Sequence, residues 1–173
     1  GLLDNVILPL LKQNVELQLN AGAEVVMIFD STAHQLAEED LNVYLGKTFN
    51  MLVKEFPNKV GYYAKDGVNY ETIIAKQEDP QINLAGMGID SNVDLRDYFK
   101  KTSSGFVQGN FSEHFLTLPH EEFLPKLDTF IEQMSVLSPE ERSGWVCGLG
   151  HGVLKTTPQE NVKEFVQRIR ASF

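Results

Sequence analysis

Polar residues able to do chemistry recur at one kind of place in this chain, directly after short apolar runs. Asp30 and Ser31 follow the first run, Lys65 and Asp66 the second, Asp90 and Ser91 the third, and Gln108 and Asn110 the fourth. The fifth runs into Gly150-His151-Gly152. Histidine changes charge near neutrality, so His151 can orient a carboxylate or share its proton. Ser31 offers one hydroxyl donor for the same kind of group, and Asp30 is a second pocket candidate beside it. Spacing alone leaves blander roles open: His151 as a loop hydrogen-bonder, Ser31 as a helix N-cap, and Lys65-Asp66-Gly67 as a local ion pair and turn. Gly150 and Gly152 let their loop approach a bulky ligand closely.

The elements that carry these residues follow from hydrophobic pattern. The stretch "GWVCGLGHGVLKTTPQENVKEF" predicts a buried strand over 145–149, a loop, and a helix over 158–170. Thr157 and Glu160 have the spacing of a capping box, with Pro158 in the first turn. Upstream, apolar residues at 3, 6, 7, 10 and 11 predict a first helix that stops at Asn20-Ala21-Gly22. Strands are predicted at 25–29, 60–64, 84–89 and 105–107, and helices at 38–56, 70–77, 94–101 and 121–134. Pro125 predicts a late start for the last of these.

Strands apolar on both faces, each joined to the next through a helix, make repeated βα units with a parallel sheet. Five such units after one helix fit either a doubly wound sheet or part of an eight-unit barrel. No G-x-G-x-x-G cradle follows the first strand, whereas polar groups end every strand. That favours the barrel, whose strand ends converge on one chemical face. The expected fold is therefore α/β: five C-terminal strands of a TIM-type (β/α)8 barrel, with residues 1–173 as one partial domain of a longer chain.

Composition excludes several classes. The 173 residues are 42% hydrophobic and carry a formal charge of -9 without any basic cluster, so nucleic acid and anionic membrane are poor partners. No apolar run is long enough to span a bilayer, and the start lacks a signal-peptide pattern. A single cysteine, Cys147, gives no internal disulfide framework and predicts a buried thiol in a reducing, cytoplasmic setting. The opening Gly1-Leu2-Leu3, without Met, predicts processing or an inner part of a longer chain.

"GLGHGVLKTTPQENVKEFVQRIR" resembles the last strand, loop and helix of uroporphyrinogen decarboxylases, where N-L-G-H-G precedes a T-P-x-x-N-V helix. "AGAEVVMIFDSTAHQL", "VGYYAKDG", "GMGIDSNVDL" and "GFVQGNF" are similar to further family segments in the same order. The likeness covers the C-terminal half of that family's chain. It implies cofactor-free, stepwise decarboxylation of the acetate arms of uroporphyrinogen III to coproporphyrinogen III, and a homodimer. By resemblance Ser31 and His151 are substrate contacts; position at strand ends and in the loop makes Asp30, Lys65, Gln108, Asn110, Gly150 and Gly152 candidate pocket-lining residues. No proton donor is assigned within the segment, and no metal.

The family's N-terminal arginine loop, aspartate and tyrosine have no counterpart here, and Gly148, Ser91 and Phe111-Ser112-Glu113 depart from its pattern. Arg96, Arg142, Arg168 and Arg170 all fall on or beside predicted helices. The segment alone is therefore expected to be inactive and to need its missing half or a second copy. Two other possibilities are a non-catalytic partner domain and a zinc- and corrinoid-linked methyltransferase-like barrel. The latter lacks support, because Gln35-Leu36 follows His34 where a His-x-Cys pair would stand.

Overall fold

A computed structural model describes residues 1–65, 83–102 and 104–173. The helix predicted at 70–77 and the Lys65-Asp66-Gly67 turn beyond Lys65 lie outside the described residues. A π-helical turn, Leu3–Ile7, leads into α1, Leu8–Asn20, followed by β1, Val26–Asp30, and α2, Glu38–Glu55. Next come β2, Val60–Ala64, β3, Gly86–Gly88, and α3, Leu95–Lys101. The chain ends with β4, Phe106–Phe111, α4, His120–Ser135, β5, Trp145–Leu149, and α5, Gln159–Ser172. Among the described residues the strands form one five-stranded parallel sheet in sequence order, as repeated βα units require.

Two compact units divide the chain, Gly1–Met87 and Gly88–Phe173. In the first, α1 ends where Gly22 takes a φ of 102°. The Gly22 amide donates to Leu19 O and the Ala23 amide to Gln18 O, the paired bonds that close a helix on a left-handed glycine. β1 and β2 run parallel with Val26 opposite Val60 and Asp30 opposite Ala64. Val15, Val26, Leu52 and Val60 form the core, with Ile28 packed against it. Strand alternation therefore turns Met27 and Phe29 to the opposite face. Met27 fits because its register partner is Gly61, where a Cβ would lie 2.2 Å from the Met27 sulfur. Phe29 touches Tyr63 edge to face at 5.7 Å and stays 66% exposed.

In the second unit, Phe111, Leu116, Phe123, Leu127 and Phe165 form the core, with Cys147 and Leu149 packed against it. Val146 and Gly148 of β5 consequently face the other way, and Val146 is 46% exposed. Asn161 on α5 is fully buried and satisfies two loop carbonyls, donating to Leu116 O at 3.0 Å and Leu118 O at 2.9 Å. Because its amide nitrogen donates twice, its Oδ1 accepts, and His120 Nδ1 supplies that proton at 2.8 Å. One buried amide thus ties two loop carbonyls and a histidine ring together.

Three local expectations need correction. β4 does not stop at Val107 but continues through Gln108, Gly109 and Asn110 to Phe111, because parallel pairing with β5 overrides the turn character of Gln-Gly-Asn. α4 is regular from His120, so Pro125 sits inside it rather than delaying it. The Thr157 capping box does not form. Pro158 holds an extended ψ of 135° and is itself the residue before the helix, and the Thr157 hydroxyl has no partner among the described residues.

Two outcomes test the second unit. Asn161→Ala leaves one buried and one half-buried carbonyl without their amide donor, so the chain should lose about 1–3 kcal/mol in denaturant unfolding; an unchanged midpoint would show the clasp to be idle. Burial pushes the Cys147 thiol up to about 12. The native chain should therefore resist iodoacetamide at pH 8 and react fully in denaturant.

Candidate functional site

Each unit carries its own strand-end residues. In the first, Asp30 closes β1 and is held from two sides. Its Oδ1 accepts the Thr32 amide at 3.2 Å, an Asx turn, and its Oδ2 accepts the Tyr62 hydroxyl at 3.1 Å. Ser31 follows in the turn, exposed, with no hydrogen bond to its hydroxyl among the described residues. It does not cap a helix: the next element is a 3-10 turn, Ala33–Gln35, preceded by Thr32, and α2 starts only at Glu38. That leaves the hydroxyl available to a ligand. Lys65 is half-buried just beyond β2.

In the second unit the strand ends interlock. Asp90, just past β3, is 6% exposed, and its Oδ1 accepts the Asn92 amide at 2.8 Å. Asn110, the fifth residue of β4, donates from Nδ2 to Asp90 O and Val93 O, both at 2.6 Å. Both amide hydrogens of this pocket-lining candidate are thereby used on the protein's own backbone. Gln108 is half-buried and pairs in register with Val146. Its side chain lies over Gly148, 3.9 Å from where a Cβ would stand.

His151 is half-buried, and its Nδ1 lies 3.4 Å from Gly152 O. The glycines on either side differ in what they do. Gly152 is exposed, and a Cβ there would meet nothing within 4 Å. Gly150 donates its amide to Phe111 O at 2.9 Å, and a Cβ there would lie 2.4 Å from the Ser91 nitrogen. Its bareness serves close contact with the turn after β3, where the sequence suggested approach to a ligand.

A cleft of about 620 Å³ opens beside these strand ends, lined among others by Ser91, Asn92, Asn110, Arg96 and Lys126. Arg96 is occupied: its Nε and Nη2 reach the Asp94 carboxylate at 3.1 and 2.6 Å, which holds the Asp94 carboxyl below the usual carboxylate range. Lys126 lies over the Phe115 ring at 5.4 Å. Arg142 donates to Leu137 O and stacks on Phe173, and Arg168 pairs with Glu164 and Asp128. These three arginines are therefore spent on local contacts. No group of three or more His, Cys, Asp or Glu able to hold a metal occurs among the described residues.

Asp90 is visible in the sequence as a polar strand end, whereas the contacts of Tyr62 and Glu113 are not. Tyr62 reaches Asp30 only through the register of β1 and β2, which no local pattern encodes. Glu113 is buried just after β4, its Oε1 3.5 Å from His114 Nε2 and its Oε2 without a partner among the described residues.

The family model described as "Uroporphyrinogen decarboxylase (URO-D)" matches residues 3–172. The chain is 30% identical over 156 residues to the uroporphyrinogen decarboxylase of Prochlorococcus marinus subsp. pastoris, covering 87% of this chain and 42% of the relative. It is 27% identical over 163 residues to that of Orientia tsutsugamushi strain Ikeda, covering 91% and 45%. For Rhodospirillum rubrum the figures are 29% over 162 residues, 89% and 43%. The chain thus spans less than half the length of these relatives. A match running from the π-helical turn to the last turn of α5 takes in all five strands and every strand-end residue described above, and the chain belongs to the uroporphyrinogen decarboxylase family.

Proposed function

We propose that this chain is the C-terminal portion of a uroporphyrinogen decarboxylase, and that Ser31 and His151 each contact the tetrapyrrole substrate. The observation that carries the proposal is the family match over residues 3–172, in which both residues stand just past the C-terminal ends of parallel strands. Losing carbon dioxide from an acetate arm breaks the bond between methylene and carboxylate. The electron pair stays on the organic part, and one proton is taken up at carbon for each carbon dioxide released. A pyrrole protonated beside the arm is the sink that makes the departure easy. Protein groups must then orient carboxylates, stabilise the developing cation and deliver protons.

In this chain the residues suited to the first task are His151, whose ring is accessible on a loop fixed at its base, and Ser31, whose hydroxyl is unengaged among the described residues. Asp30, held by Tyr62, is an acceptor positioned at a strand end. A carboxylate-rich substrate also calls for arginine forks. Arg96, Arg142 and Arg168 are committed elsewhere, which supports placing that clamp in the portion of the relatives beyond this match.

The same proposal includes the barrel. Phe29 and Val146 are exposed on the sheet faces turned away from the helices, where a closed eight-stranded barrel would enclose them. Leu10 and Leu17 of α1 are exposed as well, an apolar stripe suited to further chain. No helix among the described residues is long and apolar enough to cross a membrane. A cytoplasmic homodimer is the proposed working form.

Activity tests the site. In a chain carrying both halves, His151→Asn should lower turnover about tenfold or more, the worth of one hydrogen bond to a charged group; unchanged kinetics with reduced substrate under anaerobic conditions would make the loop structural. The 173-residue chain by itself should form no coproporphyrinogen and should self-associate in sedimentation. A monodisperse monomer that melts cooperatively would remove the need for further strands.

A further inference from the structure

Gly150 joins the His151 loop to the end of β4. Its amide donates to Phe111 O, the last carbonyl of β4, at 2.9 Å. Its Cα side faces the turn after β3 so closely that a Cβ would stand 2.4 Å from Ser91 N and 3.0 Å from the Asp90 carbonyl carbon. The loop after β5 therefore crosses the end of β4 and rests on the backbone of residues 90 and 91. That backbone is in turn shaped by two devices. Asp90 Oδ1 accepts the Asn92 amide at 2.8 Å, and Asn110 Nδ2 bridges Asp90 O and Val93 O at 2.6 Å each. Asn110 is 7% exposed and spans 20 and 17 residues of sequence with these bonds.

We infer that Asn110 is a positioning residue for His151: by pinning both ends of the Asp90–Val93 turn it builds the surface on which Gly150 sits, and so sets where the imidazole stands. Its functional consequence rests on His151 being a substrate contact, but the placement itself does not. The chemistry is specific to a primary amide. One nitrogen with two hydrogens meets two carbonyls, and no hydroxyl or carboxylate can replace it. Asn110 thus acts through the backbone, and the role differs from the ligand contact suggested by its strand-end position.

The test reads the loop directly. In the full chain, Asn110→Asp keeps the shape but sets carboxylate oxygens against two carbonyl oxygens. The Gly150 amide should then exchange hydrogen about tenfold faster. The His151 ring signal in histidine-selective carbon NMR should shift or broaden, while that of His120, held by Asn161, stays in place. A folded Asn110→Asp chain with Gly150 exchange and the His151 signal unchanged would overturn the inference. Should that variant fail to fold, Gly150→Ala disturbs the same seat from the other side with Asn110 intact and should move the His151 signal alone. An unmoved His151 signal there, or His120 and His151 moving together in both variants, would overturn it too. Decarboxylase activity is a separate arm. If the His151 signal moves as expected but His151→Asn is fully active, the substrate-contact proposal fails and the positioning assignment stands.

Discussion

Phe111 is the residue on which the second unit turns. Its ring lies 5.2 to 6.2 Å from those of Phe115, Phe123, Phe130 and Phe165, so one side chain joins β4 to the turn that follows it and to both large helices. Such aromatic contacts add to the area they bury. The same residue's carbonyl accepts the Gly150 amide and carries the His151 loop. Core packing and site geometry therefore share one backbone position. A shift of β4 against its helices would be felt at the imidazole, because close-packed interiors transmit displacement instead of absorbing it.

The first unit solves its strand end differently. Asp30 is fixed by one side chain from the neighbouring strand and one amide from its own turn, with the Phe29 ring beside Tyr63 on the other face. Here a carboxylate is held by a phenol, whereas in the second unit backbone is held by an amide. The carboxylate keeps its capacity to accept; the amide does not keep its capacity to donate. Two polar residues that look alike as strand ends thus differ in what they have left for a ligand.

Much of the fold was legible. The βα repeat followed from apolar runs and intervening helical periodicity, and the loop placing His151 after a strand followed from glycines and a capped-looking helix. What failed did so where one level of structure overruled another. Gln108-Gly109-Asn110 carries turn residues, but pairing with β5 kept it in the strand. Thr157 has the right neighbours for a cap, but Pro158 stays extended and moves the helix start one residue on. The role of Asn110 was invisible because both its partners are carbonyls of another segment, and those have no side-chain signature. The distinction between Gly150 and Gly152 was likewise hidden, since it depends on how near the turn after β3 comes.

The Asn161 clasp has a consequence in time as well as in energy. Its bonds to Leu116, Leu118 and His120 close loops of 45, 43 and 41 residues. Loop closure is entropically costly, and these loops contain α4 and β5 entire. The clasp is thus expected to close after those elements have docked, beyond the folding transition state. Contacts of that kind leave the folding rate almost untouched and hold back unfolding. Asn161 is then expected to slow unfolding of the second unit more than it speeds folding.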